Sequence, residues 1–300
     1  MGNNKNRRYN MKTIILEILT FIIRACNYLK SKIEISHSKL LIRKPDRSLY
    51  RTPDGDLFWL NVTGYVDRCI INEGIFEKKS VQWLPYLLKE GDIVLDIGAN
   101  IGYYSVLISK IIGKTGFIYA FEPTKHFCTI LKNNLDENKI NNVEIFEYGL
   151  SNKNQELEIF IGPSSATLHE PEGYEVIEGK EKIKLTTLDE FVKDKNLNRI
   201  DFIKIDVDGH EPLFFEGAWS SLDKFSPIIL CEISHLHYFT AGFTAWDFYR
   251  EVRKHNYHIY HEDKLEIMDT ENMFLRKCAN FDRSTNIILS KKHLDVKNIK

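Results

Sequence analysis

The chain has 300 residues, of which 43% are hydrophobic and 28% charged, enough for a sizeable core in one large α/β domain with an extension or in two domains. Forty-one Lys and Arg against forty-two Asp and Glu leave a net charge of −1, which excludes a protein that wraps nucleic acid over its whole surface. Five widely spaced cysteines without a C-x-x-C exclude a disulfide-stapled scaffold and a zinc ribbon, and they suit a reducing, cytoplasmic setting.

Residues 1–50 carry eleven Lys and Arg against three Asp and Glu, so the acidic excess belongs to the rest of the chain. The apolar stretch Ile14 to Leu29 is interrupted by Glu17 and Arg24, leaving Ile18 to Ile23 between them. That run is far shorter than the roughly 20 residues of a membrane crossing. The same interruptions, with no small-residue cleavage site after them, argue against a signal peptide. The segment reads as a helix packed on the body or on a second copy of the chain, which leaves room for a homodimer. The alternative is an interfacial helix that sets Lys12, Arg24, Lys30 and Lys32 against anionic headgroups, a peripheral contact at the inner face of a membrane. With the two short strands expected in 48–62 around Pro53-Asp54-Gly55, this gives an N-terminal extension over 1–78. A main domain over 79–290 and a basic tail over 291–300 follow.

A helix is expected over Lys79 to Leu88, and from there strands alternate with helices. Strands are expected at Ile93–Ile97, Gly116–Phe121 and Val143–Tyr148, with helices at Ile101–Ile112 and Thr124–Glu137 between them. Leu157–Ile161 and Lys182–Leu185 read as additional strands around a long surface loop, Gly162 to Gly179, whose Ser164, Ser165, Thr167 and His169 border the same sheet edge by topology. Further on come a helix at Asp189–Lys193, a strand at Phe202–Val207, a helix at Pro212–Leu222 and a strand at Pro227–Cys231. A helix at Ala245–His255 and strands at Tyr257–Tyr260 and Thr285–Leu289 complete the pattern. Such alternation predicts right-handed β-α-β units and a largely parallel sheet, with ligands bound beyond the carboxyl ends of its strands.

The residues at those ends carry the chemistry. Asp96-Ile97-Gly98-Ala99-Asn100-Ile101-Gly102 closes the first strand and opens a helix, with Gly98 and Gly102 able to take positive φ and to let backbone pass close to a ligand. A plain strand-to-helix turn would look similar. Asn100 and Tyr103 stand where G-x-G-x-x-G needs glycine, and no Gly-Lys-Ser/Thr follows, so the dinucleotide and P-loop fingerprints are both absent. D-x-G-x-N-x-G suits a ligand with an amino-acid end and a ribose. Glu122, 26 residues after Asp96 at the end of the second strand, is placed to accept both ribose hydroxyls. Gly149, after the third strand, would let backbone approach an adenine. Asp206, Asp208, His210 and Glu211 crowd the end of the next core strand, a density that packing alone does not explain. Asp208 as a helix cap, with His210 and Glu211 solvated in the first turn, is the plainer alternative. Glu232 and His235 close the following strand.

VLDIGANIGYYSV, FEP, TLDEF, IKIDVDGHE and CEI, in this order and spacing, resemble the FkbM-type S-adenosylmethionine-dependent methyltransferases over about residues 80–235. Asp208 stands where the family usually has Glu. The resemblance implies a Rossmann-like class I methyltransferase fold and transfer of a methyl group to a hydroxyl of a glycan or other polyhydroxylated small molecule. It implies that S-adenosylmethionine lies across Asp96, Gly98, Asn100 and Gly102, with Glu122 on its ribose, Gly149 near its base and Asp206 near its reacting end. His210 is the better candidate base, since its unperturbed pKa of about 6.5 suits proton abstraction near neutrality. Asp206 shares the catalytic corner, and Asp208, Glu211, Glu232 and His235 face the acceptor. Asp206, Asp208, Glu211 and Glu232 could supply hard oxygen ligands, yet one carboxylate-rich turn is weak evidence and no metal is assigned. Tyr50, Phe58, Trp59 and Tyr65 are further candidates for acceptor contact, core packing being the commoner use of such rings. Two other readings stay open: a binding module that keeps the fold without catalysis, and a nicotinamide-dependent oxidoreductase.

Overall fold

A computed structural model of the chain describes residues 47–163, 165–167, 179–280 and 284–294. The readings made for the N-terminal helix, for Ser164 and His169 and for the end of the basic tail lie outside these residues. Among the described residues no helix is long and apolar enough to cross a membrane.

The first hairpin pairs β1 (Ser48–Arg51) with β2 (Leu57–Leu60) around the expected Pro-Asp-Gly turn. It docks on the body through its backbone, with the amides of Leu57 and Trp59 donating to the side chains of Asn138 and Asn134. Phe58 is buried in the core and so packs there, and the half-buried Tyr50 donates its hydroxyl to the carbonyl of Ile71. The remaining strands are β3 (Ile93–Ile97), β4 (Phe117–Phe121), β5 (Val143–Phe146), β6 (Gly149–Leu150), β7 (Gln155–Ile161), β8 (Ala166–Thr167), β9 (Gly179–Thr186), β10 (Phe202–Ile205), β11 (Ile228–Ile233), β12 (His258–His261), β13 (Glu266–Ile267) and β14 (Thr285–Ser290).

Eight of these form the central sheet in the order β13-β12-β14-β11-β10-β3-β4-β5. From β11 to β5 every pairing is parallel, while β14 runs antiparallel between β11 and β12. Strand order reverses beside β3, where the chain first builds outward through β4 and β5 and then returns to add β10 and β11. That reversal opens a crevice at the carboxyl ends of β3 and β10. This is the doubly wound, Rossmann-like arrangement of class I methyltransferases. Leu95, Ile97, Ile203, Ile205 and Ile229 feed one core, and Val94, Phe202, Leu230 and Ile288 feed the core on the opposite face. Near-continuous apolar strands are what burial on both faces requires. A second sheet, β6-β9-β7-β8, stands apart from the first.

Several helices differ from expectation. The helix expected over 79–88 is two short turns, Lys78–Val81 and Leu84–Leu87, because Pro85 lacks the amide that a continuous helix would donate to Val81. The helix expected over 212–222 is likewise split into Glu211–Glu216 and Trp219–Phe225. At the break, a Cβ on Gly217 would stand 2.1 Å from the carbonyl oxygen of Ser151, so the glycine admits a neighbouring chain. The third strand stops at Phe146, and the chain then crosses to the second sheet at Gly149. Helices Tyr65–Glu73, His235–Thr240 and Glu271–Cys278 lie where no element was expected.

Candidate active site

The glycine turn after β3 is held by the neighbouring strand. The amides of Gly98 and Ala99 both donate to the carbonyl of Phe121, at 3.0 and 2.9 Å. Asn100 adopts a left-handed φ of 52°, which aims its own amide at Glu122 Oε2, 3.0 Å away. Both glycines admit neighbouring protein atoms. A Cβ on Gly98 (φ 76°) would fall 1.9 Å from the carbonyl oxygen of Asp206, and one on Gly102 (φ 82°) would fall 2.2 Å from Leu131 Cδ1. Gly149 is also a packing glycine, since its Cβ would meet Leu185 Cδ2 at 2.7 Å. The space at these positions is filled by the protein itself, and Gly98 lets the ends of β3 and β10 touch.

Glu122 is buried and accepts three hydrogen bonds, from the amide of Asn100 and from the amide and hydroxyl of Thr124. Burial pushes its pKa up to about 7, with those donors opposing and the charge of Asp96 adding to the rise. Asp96 is fully buried in β3. Its Oδ2 accepts the hydroxyl of Ser105 at 2.6 Å, and its Oδ1 has no hydrogen-bond partner among the described residues.

Opposite Asp96 in the parallel register stands Lys204 of β10. Two residues on, and so on the same face of the strand, Asp206 takes the Lys204 ammonium on Oδ2 at 3.0 Å. Lys204 is buried, lies 5.0 Å from the ring centre of Tyr104, and has its pKa raised because Asp206, Asp96 and Glu77 together outweigh burial. Glu77, just ahead of the helical turn Lys78–Val81, closes this group, accepting the hydroxyl of Tyr104 and the side-chain amide of Asn286, each at 2.6 Å. Sequence reasoning missed Lys204, Glu77 and Tyr104. The usable signal was the register: the Asp of VLDIG and the Lys of IKIDV each stand one residue before the last of their strands.

The D-G-H-E turn is compact. Asp208 (φ 49°) and Gly209 (φ 93°) are both left-handed, and a Cβ on Gly209 would strike His237 Cβ at 2.3 Å. His210 precedes the helix and shares a 2.8 Å hydrogen bond through Nε2 with the buried hydroxyl of Ser151, at the end of β6. Glu211, read as a solvated or acceptor-facing group, is instead fully buried, with Oε1 accepting the amide of Val207 at 2.9 Å. Burial, reinforced by Asp206 and Asp208, pushes its pKa up to about 8. Glu232 is raised well above the ordinary carboxylate range by burial and then by Asp206 and Glu211. Carboxylate oxygens of Asp206, Glu211 and Glu232 all lie within 4.8 Å of one another. His235 begins the helix after β11, its pKa lowered by burial, and neither it nor His210 joins that group.

Fold and site together define the donor-binding domain of an S-adenosylmethionine-dependent methyltransferase. The chain belongs to the methyltransferase FkbM domain family, which it matches over residues 96–268. A hexuronic acid methyltransferase, AglP, of Haloferax volcanii is 27% identical over 155 residues, covering 51% of this chain and 61% of that protein. A protein-L-isoaspartate O-methyltransferase of Methanosarcina mazei is 41% identical over 58 residues, covering 19% of this chain and 24% of that protein. The chain therefore spans about three fifths of the first relative and about a quarter of the second. Among solved structures, an FkbM methyltransferase from Methylobacillus flagellatus KT aligns with a TM-score of 0.44 at 16% identity, over 68% of this chain and 44% of that one. Family membership sets aside the nicotinamide-dependent reading.

The residues at the crevice fit S-adenosylmethionine by their chemistry. That molecule brings ribose hydroxyl donors, an ammonium and a sulfonium. The chain presents a buried carboxylate oxygen without a donor at Asp96, and at Glu122 a carboxylate with acceptor capacity beyond its three bonds. A buried acceptor without a donor costs about 1–3 kcal/mol, which a bound donor group recovers.

Proposed function

We propose that the protein methylates a hydroxyl group on a glycan or other polyhydroxylated acceptor, using S-adenosylmethionine. The orphaned, buried Oδ1 of Asp96 at the head of the glycine turn carries the donor half of this reading. The likeness to a hexuronic acid methyltransferase supports the acceptor half. When bound, S-adenosylmethionine supplies an electrophilic methyl group. Asp96, Asn100 and Glu122 would hold the donor, with Glu122 on the ribose hydroxyls and the backbone of the glycine turn along its length. Lys204 fixes the Asp206 side chain through its 3.0 Å contact at the carboxyl end of β10, beside the crevice where the reacting end of the donor would lie.

The acceptor must lose a proton as its oxygen gains the methyl group, and His210 is the group whose ordinary pKa suits that task. Ser151 orients the imidazole through Nε2, and the tautomer with its proton on Nε2 puts the basic lone pair on Nδ1. Asp208 and His235 border the place an acceptor would occupy. The test is calorimetric titration with S-adenosylhomocysteine, followed by a methyl-transfer assay on uronic-acid-containing and neutral oligosaccharides. Saturable binding of the product and turnover on a hydroxyl-bearing sugar are expected. Absence of product binding would overturn the donor assignment, and methylation confined to amines would overturn the acceptor assignment.

A further inference from the structure

The sequence assigns no metal, but folding draws together side chains from three separate places. Asp206 and Glu232 follow the paired residues Ile205 and Cys231 on adjacent parallel strands, so the register sets them side by side. Glu211 reaches the same point from the helix that follows β10, and oxygens of all three lie within 4.8 Å of one another. Mutual repulsion disfavours three carboxylates at this spacing unless a positive charge or protons offset it. Lys204 supplies part of that charge, on Asp206 Oδ2, and its other acidic neighbours are Asp96 and Glu77. Glu211 and Glu232 have no ion-pair partner among the described residues. Glu232 receives one hydroxyl, from Ser284.

A second observation points to a ligand. Glu211 is 0% exposed, its Oε1 is bound by Val207, and its buried Oε2 has no hydrogen-bond partner among the described residues, the neighbouring Tyr238 hydroxyl donating to the carbonyl of Glu232 at 3.3 Å. A carboxylate oxygen placed so deeply needs a donor or a cation.

We propose that Asp206, Glu211 and Glu232 form a site for one hard divalent cation, of the Mg²⁺, Mn²⁺ or Ca²⁺ class, at the carboxyl ends of β10 and β11. Three oxygen ligands and no nitrogen or sulfur select that class. An ion bonded at about 2.1–2.5 Å can span ligands up to about 4.2–5 Å apart, which matches the group. Three carboxylates around a 2+ ion leave one net negative charge, and they leave coordination positions for water or for acceptor oxygens. In that role the site rests on the methyl-transfer reading and adds a Lewis acid that lowers the pKa of a bound hydroxyl. The binding itself does not depend on the reaction.

The experiment titrates Mn²⁺ into the full chain after exhaustive chelation. The paramagnetic resonance signal of free Mn²⁺ is followed, and product affinity is measured by calorimetry on the same samples. One Mn²⁺ per chain, displaced by Mg²⁺ or Ca²⁺, is expected, with affinity falling at least tenfold in Glu211→Gln and in Glu232→Gln. Both variants, freed of carboxylate crowding, should melt no lower than the metal-free wild type, so weakened binding is not misread as unfolding. Undiminished free Mn²⁺ in the presence of excess wild-type protein would overturn the site. Equal affinity in wild type and both variants would do the same, showing that Mn²⁺ binds somewhere other than these acids. Loss of S-adenosylhomocysteine binding with Mn²⁺ binding retained would refute the donor reading and leave the metal site standing. The reverse result would refute the metal site alone.

Discussion

At the end of β4 a buried carboxylate, Glu122, accepts hydrogen bonds from Asn100 and Thr124 in the loops beside it. At the ends of β10 and β11 three carboxylates converge on one another, and Lys204, reaching Asp206, is the cation among them. Both regions place acids where water is scarce. The first answers the cost with two backbone amides and a hydroxyl, and the second answers it with the charge of a lysine two residues back along the chain. A carboxylate whose partners are neutral amide and hydroxyl donors is held in place and keeps a defined hydrogen-bonding role. A carboxylate whose surroundings are other acids keeps a demand for positive charge, which a substrate, a cofactor or a metal can meet.

The sharpest way to break this comparison is Lys204→Met. It leaves Asp96 and Asp206 without their cation, and removing one partner of a buried pair costs about 3–5 kcal/mol. Urea denaturation measures it, and a loss below about 1 kcal/mol would mean that these acids do not rely on Lys204. Gly98→Ala attacks the contact between the two regions. A Cβ there meets the Asp206 carbonyl and forces a left-handed alanine, for an expected cost of about 3 kcal/mol and loss of product binding. Gly179→Ala, with open space around the added Cβ, is the matched control and should be close to neutral.

His210→Ala separates binding from chemistry. Turnover should fall about a hundredfold while S-adenosylhomocysteine affinity is kept, the loss expected for a general base. Unchanged turnover would remove His210 from that role. The smallest effect is a pH dependence set by Glu122. Burial raises its pKa from 4.5 to about 7, so in the free protein the carboxyl becomes protonated as pH falls through about 7. Ribose hydroxyls donate to the ionised form, so affinity for S-adenosylhomocysteine should be constant above about pH 8 and weaken by about tenfold per unit below 7. A flat affinity between pH 8 and 6 would show that Glu122 does not meet the ribose.

Much of the site was legible because its residues act through local rules. A strand ending in D-x-G-x-N-x-G declares a left-handed turn, and the F-E-P and D-G-H-E segments declare strand ends that open helices. Thr124 and Thr187, just ahead of their helices, cap them by accepting the amides of Phe127 and Glu190. The positions of Asp96, Asn100, Glu122, Asp206 and His210 at strand ends follow from these patterns. That Asp206 and Leu131 fill the space beside Gly98 and Gly102 was not legible, because a glycine's need for space is visible in sequence and the atom that fills the space is not.

By itself, then, the sequence determined the alternation of strands and helices, the crevice-facing strand ends and the family, since apolar runs, turn residues and short motifs act over a few neighbouring positions. The tertiary structure alone decided that Asp96 faces Lys204, that Glu232 stands beside Asp206, that Glu77 and Asn286 close the same row, and that Glu211 is buried with an oxygen to spare. The reason is physical. Register across a parallel sheet joins residues scores of positions apart, and the free energy of a buried charge depends on which of them it meets.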